Sequence, residues 1–350
     1  MFFRRSMTAL TLFLALILSA CGASAALPTQ APASAAASTP PTTAAPTEAP
    51  TAAPPTAAPT MAPTETPTPA ASGVAITDVA GRKVTIAAVP ERLISLAPSN
   101  TETLFALGLG PKLVAVDDFS DYPAEAKNLP KIGGLNANYN FEQIVALKPD
   151  LIFAAGITPP EAIKKLEDLK LTVVVLGTAQ TTLDSIFSDI ALAGQATGQV
   201  DQAAKLTSAM KDKLETLKAK LAAAKEKPLV YWELDATDPT KPYSVGPGNF
   251  VGDLIALAGG KNAFDKVDSP YPQVSAEQVV AANPDVIILS DAAYGITVES
   301  VLKRPGWQAI AAVKQRRVEP IDDNLVSRPG PRIVEGLEAA AKIIHPELFK

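Results

Sequence analysis

Glu142 and Glu277 stand second in two segments that read almost alike, FEQIVALKPDLIF (141–153) and AEQVVAANPDVII (276–288), which match or exchange one aliphatic residue for another at nine of thirteen positions. A carboxylate in the first turn of a short helix complements the helix dipole, an effect of ~0.3–1 kcal/mol. It is equally a handle for a partner's arginine, whose forked guanidinium orients as well as attracts. The residue types of enzyme chemistry are scarce. The chain has one histidine, His345, five residues from its end and expected to face solvent in a last helical turn, and one cysteine, Cys21. No GxSxG, phosphate-loop or HExxH pattern occurs, and GLGPK and GPGNF are glycine-containing turns rather than nucleotide fingerprints. Acid–base and nucleophilic mechanisms therefore have little to work with, and capture of free Zn²⁺ or Mn²⁺, which normally uses several histidines, is disfavoured. No enzymatic activity, resident cofactor or protein-held metal is expected.

The elements that position the two glutamates follow from hydrophobic patterning. Before and after the first copy, RLISL, KLVAV, DLIFAA and TVVVLG are short apolar runs rich in β-branched residues, which read as buried strands. Helical patterns lie between them: SNTETLFALGLG with Ser99 and Glu102 at capping-box spacing, NFEQIVALKP with Asn140 as cap, and PPEAIKKLEDLKL. The second copy repeats the plan, with PLVYWELD, DVIILSD and RRVEPID as strands and NFVGDLIALAGG, SAEQVVAANP and GPRIVEGLEAAAKII as helices. Between the copies, Gln199–Lys227 contains no Gly or Pro, and Met210, Leu214, Leu217 and Leu221 form one apolar stripe. That predicts a helix on the order of 40 Å long. The fold class is α/β: two similar lobes with mainly parallel sheets, joined by one long backbone helix, with a ligand cleft between them.

In this order and spacing, DVAGRKVTI, RLISLAPSNTETLFALG, DDFSDYPAEAKNLPKIGG, NFEQIVALKPDLI, SPYPQVSAEQVVAANPDVIIL and SRPGPRIVEGL resemble the periplasmic metal-chelate-binding proteins of bacterial ABC importers, most nearly the vitamin B12-binding ones. The resemblance covers nearly all of Ile76–Leu348. It implies a solute-binding protein that captures a cobalamin or related corrinoid between its lobes, with a ferric siderophore or haem as the alternative cargo. It further implies a monomer that docks through Glu142 and Glu277 on a permease dimer coupled to a cytoplasmic ATPase.

Open α/β sheets bind ligands beyond the carboxyl ends of their strands. The loops expected there carry Phe119, Tyr122, Asn136 and Tyr139 in the first lobe, and Tyr243, Phe250, Tyr271, Asn324, Leu325 and Arg328 in the second. Aromatic and aliphatic walls with a few polar groups suit a large, flat, partly apolar molecule. Tyr271, held between Pro270 and Pro272, is expected to face Tyr122 across the cleft, although a tyrosine in such a loop is as readily a surface packing residue. Haem would call on Tyr122 or Tyr271 as an axial oxygen ligand. Trp232 is expected in a buried strand and Trp307 at the periphery.

The N-terminus concerns location. MFFRR, an apolar run and Leu18-Ser19-Ala20-Cys21 make a secretory signal that resembles a bacterial lipobox. That implies cleavage after residue 20, acylation of Cys21 and anchoring to the outer face of the cytoplasmic membrane in the cell envelope; a plain signal peptide with an incidental cysteine is the alternative. Residues 21–73 are almost entirely Ala, Pro, Thr and Ser, too polar and proline-rich to bury a core, and read as a semi-stiff tether. The expected order is signal 1–20, tether 21–73, N-terminal lobe 74–198, connecting helix 199–227 and C-terminal lobe 228–350. Formal charge is −5, about −7 once Arg4 and Arg5 leave, with no Lys/Arg run, so nucleic acid is not an expected partner.

Overall fold

The computed structural model describes residues 73–134, 138–178 and 181–350. The signal peptide, Cys21, the tether up to residue 72 and Asn136 lie outside the described residues. The described chain begins with an antiparallel hairpin, β1 (Val74–Thr77) and β2 (Lys83–Ile86). Asp78 pins it to the first lobe. Its Oδ1 accepts from the amides of Ala80 and Arg82, and its Oδ2 accepts from Arg82 Nη2 at 2.5 Å and from the amide of Val175 at 3.1 Å.

The N-terminal lobe alternates β3 (Leu93–Ser95), α1 (Pro98–Ala106), β4 (Leu113–Val116), α2 (Phe141–Ala146), β5 (Leu151–Ala155), α3 (Pro160–Asp168) and β6 (Val173–Leu176). Its four strands run parallel in the order β4-β3-β5-β6. β3, β5 and β6 are buried at every residue, as a parallel sheet covered on both faces requires. The capping box expected at Ser99 and Glu102 does not form. The helix begins two residues earlier than that box requires, at Pro98 after the cap residue Ala97, and the fixed φ of proline suits a first helical position; Glu102 has stronger partners, described below.

Two packed helices follow, α4 (Leu183–Thr197) and α5 (Val200–Leu221). α4 was not anticipated. A reciprocal capping box of Thr182 and Ser185 starts it, and Gly198, at φ +73°, ends it. Gly194 lets it approach α5, since a Cβ there would lie 2.6 Å from the Ala203 Cβ. α5 has the expected stripe, with Met210, Leu214 and Leu217 buried, but it stops at Leu221 rather than Lys227 and is about 33 Å long. Beyond Leu221 the apolar stripe ends, residues 225–227 are exposed, and Pro228 disfavours helix at the residue before it.

The C-terminal lobe comprises β7 (Leu229–Asp235), β8 (Tyr243–Ser244), α6 (Phe250–Leu257), β9 (Lys261–Asn262), α7 (Ala276–Ala282), β10 (Val286–Leu289), α8 (Val298–Leu302), α9 (Ala311–Lys314), β11 (Val318–Pro320), α10 (Asp323–Val326) and α11 (Ile333–Ile344). Its sheet has the order β11-β10-β7-β8, with β9 also on β7; only β8 runs antiparallel. One apolar core is continuous from Leu93, Leu104 and Leu151 through Met210, Leu214 and Leu217 to Trp232, Leu254 and Leu337, so the helices between the lobes are packed into both. Each lobe adds a core of its own.

Two expectations are corrected here. His345 is 2% exposed, with Nδ1 3.1 Å from Glu347 Oε1 and Nε2 3.3 Å from the Gly259 carbonyl; the chain turns back after α11 as Pro346–Phe349 and covers it. Trp307 is fully buried rather than peripheral. It meets Tyr231 edge-on at 6.0 Å and lies under the Arg304 guanidinium at 4.5 Å. Trp232 is buried, as expected.

Candidate ligand site between the lobes

The strands of both sheets deliver their carboxyl ends to one cleft of about 450 Å³. The N-terminal lobe contributes Leu96–Asn100 from the end of β3 into the first turn of α1, Asp117 and Phe119 after β4, Gly156 and Ile157 after β5, Gly177 and Thr178 after β6, and Ile186, Asp189 and Ile190 on α4. Gly156 allows the ends of β5 and β6 to close together there; a Cβ would sit 2.5 Å from the Gly177 carbonyl oxygen. Across the cleft, the C-terminal lobe contributes Leu234, the start of α6 at Asn249–Val251, Tyr271, Tyr294, and Asp323, Asn324, Ser327 and Arg328 around α10. The Asn249 side chain caps α6 by accepting from the Val251 amide at 2.8 Å and donates to the Pro270 carbonyl at 2.9 Å, which ties the Tyr271 loop to the helix start.

Five of the predicted residues meet here: Phe119, Phe250, Tyr271, Asn324 and Arg328. Phe119 and Tyr271 are 54% and 60% exposed, open aromatic faces on opposite lobes. The others lie elsewhere. Tyr122 does not face Tyr271; its ring lies 3.8 Å from the Arg332 guanidinium, in a separate depression with Phe105 and Met210. Tyr139 is buried in the N-terminal core, edge-on to Phe141, because its backbone bridges to Gly133 and turns the ring inward. Tyr243 is held in β8 and bridged to Gln273, outside the cleft lining. Leu325 packs on the shared core. Tyr294, 78% exposed, and Asp189 line the cleft without having been singled out.

An interlobe ion-pair cluster borders the site. Glu102 on α1, 3% exposed, accepts from Arg332 Nε at 2.8 Å, from Arg332 Nη2 at 2.6 Å and from Arg328 Nη1 at 3.2 Å. Arg328 Nη1 also donates to Asp121 at 2.6 Å and Nη2 to the Phe119 carbonyl at 3.3 Å. Burial works to raise the Asp121 carboxyl, but the bond and charge of Arg328 outweigh it and hold it below the usual range. The signal available in sequence was Arg328 and Arg332, two cations that bracket Pro329-Gly330-Pro331.

The cleft wall is otherwise acidic. Burial raises the Asp117 carboxyl against bonds from the Ser120 hydroxyl and the Phe119 amide. Burial likewise raises Asp323, which accepts from the Ser327 hydroxyl. Asp189 is pushed up to about 6, chiefly by burial. The cation among the cleft-lining residues, Arg328, is already shared with Glu102 and Asp121.

Glu142 and Glu277 are exposed at the second position of α2 and α7, the equivalent crossover helices of the two lobes, and neither is ion-paired to a described residue. Asn140 accepts from the Gln143 amide at 3.0 Å. Ser275 and Gln278 close a full capping box, and the Ser275 hydroxyl draws the Glu277 carboxyl below its usual value.

The periplasmic binding protein family matches residues 93–325. The chain belongs to that family. Its members bind solutes rather than transform them, and the resemblance read from the repeat and its flanking motifs holds. The chain is 37% identical over 282 residues to an uncharacterised ABC transporter substrate-binding lipoprotein of Bacillus subtilis (strain 168), covering 79% of this chain and 87% of that protein. It is 34% identical over 251 residues to the vitamin B12-binding protein of Vibrio cholerae (strain ATCC 39541), covering 71% and 87%. The periplasmic heme-binding protein of Roseiflexus sp. RS-1 superposes with a TM-score of 0.66 at 29% identity, over 74% of this chain and 99% of that one.

Proposed function

We propose that this protein captures a corrinoid of the cobalamin type between its lobes and delivers it to the permease of an ABC importer. The observation that carries this is the composition of the cleft. Phe119 and Tyr271 offer aromatic faces from opposite lobes, while Asp117, Asp189 and Asp323 outnumber the one cleft arginine, which is already paired. A flat macrocycle with neutral amide side chains finds stacking surfaces and acceptors there; a polyanionic chelate meets like charge. The Vibrio relative named for vitamin B12 supports the same reading. Glu142 and Glu277 dock on the two halves of the permease, whose cytoplasmic ATPase drives uptake. Acylated Cys21 and the tether hold the monomer at the outer face of the membrane. The runner-up cargo, haem or a ferric siderophore, is favoured by the exposed phenol of Tyr271 at the cleft and by the haem-binding structural neighbour.

Filter retention of radiolabelled cyanocobalamin by the purified full chain tests the cargo. Unlabelled cobinamide is expected to displace the label, and haemin and a ferric siderophore are not. No retention of label, with haemin retained instead, gives the cleft to the runner-up.

A further inference from the structure

We infer that Asp189 is the cargo's hydrogen-bond acceptor on the N-terminal side of the cleft, so that the ligand presents an amide N–H or a hydroxyl to it. This rests on the reading of the cleft as the cargo site and narrows the chemistry of what enters. Asp189 lies on α4 between Ile186 and Ile190, which line the same wall, below the ends of β5 and β6. It is 9% exposed, and its Oδ1 has no hydrogen-bond partner among the described residues. One oxygen of the carboxyl is thus buried and unpaired although the Gly177 backbone bonds to the group, and an unpaired buried oxygen is costly for a fold to keep. The position asks for no acid on packing grounds, since its α4 neighbours on that wall are isoleucines. Beyond the Gly177 backbone, the partner left for Oδ1 is a donor that enters the cleft.

The charged residues on the elements packed against Asp189 are few. α1 brings Glu102, bound to Arg328 and Arg332. α5 brings Asp201, Lys205, Lys211, Asp212 and Lys213 on its length facing α4, of which Lys211 lies over the Phe187 ring. α4 itself carries the exposed Asp184, and β1 and β6 carry no charge. Asp117, Asp323 and Arg328 line the same cleft. No charged side chain is among the influences on Asp189; burial raises it to about 6 and the Gly177 backbone partly offsets this. Above that pH the group is an acceptor only, and below it the group carries a proton and is a poorer match for a donor.

The test is calorimetric titration of the purified full chain with cyanocobalamin from pH 5 to 8, for wild type, Asp189→Asn and the exposed control Asp184→Asn. Wild type is expected to bind more weakly as pH falls through about 6 and to release protons on binding near that pH. Asp189→Asn is expected to bind ten- to hundredfold more weakly at pH 7.5, the range of a charge-assisted hydrogen bond. It is also expected to lose both the pH dependence and the proton release while melting no lower than wild type. Asp189→Asn binding with wild-type affinity and an unchanged pH profile overturns this inference alone. A wild type that binds no corrinoid overturns the function it rests on as well.

Discussion

At the scale of residues, Glu102 is the most consequential side chain that patterning misread. Its spacing from Ser99 is that of a capping box, yet the carboxylate turns to take two arginines from the other lobe. Local spacing shows which short-range bond is available; it is blind to a partner more than two hundred residues away. Removing one member of a buried pair leaves the remaining charges uncompensated, which costs about 3–5 kcal/mol. The Arg332 and Arg328 side chains are each 14% exposed, which places Glu102→Ala at the lower end, about 3 kcal/mol. Urea unfolding of the unliganded protein measures it; a loss under 1 kcal/mol would mean the cluster is solvated and does not hold the lobes. The aromatic candidates show the same limit. Phe119 and Tyr271 were legible because loop position and ring type both pointed to the cleft. Tyr122, three residues from Phe119, lies instead against a cation that no local pattern pairs with it.

At the scale of elements, the repeated segments are the most legible part of the chain. Strand runs, the cap at Asn140 and the stripe on α5 are local signals, and the structure places them where they were read. α4 escaped because its start uses a Thr–Ser capping box and Gly194 interrupts its pattern, a glycine whose reason is the close approach to Ala203. α2 and α7 set Glu142 and Glu277 in exposed first turns of equivalent crossovers, where a dipole role alone is modest. The double variant Glu142→Lys/Glu277→Lys should therefore melt close to wild type and keep its affinity for cargo, while uptake through the cognate permease falls at least tenfold. Transport of labelled cyanocobalamin into permease-bearing vesicles reads the difference; undiminished uptake would return both residues to a helix-end role.

At the scale of the whole molecule, two mainly parallel sheets share a core through α4, α5 and α11, so neither lobe swings on a thin strap. The shared helical core and the Glu102 cluster permit only a modest closing movement, which suits a cleft already walled on both sides. The two-lobed α/β plan was readable from periodicity because strands and helices alternate in the same order twice. The identity of the cleft residues was readable only in part, because lining depends on how loops from distant strand ends fold over one another. The proposed cargo position lies between Phe119 and Tyr271. Its most direct test is calorimetric titration of the full chain with cyanocobalamin, comparing wild type, Phe119→Ala, Tyr271→Ala and the double variant. Submicromolar binding by wild type is expected, with about tenfold loss for each single change and a larger loss for the pair. Wild-type affinity retained in the double variant would place the cargo outside the cleft.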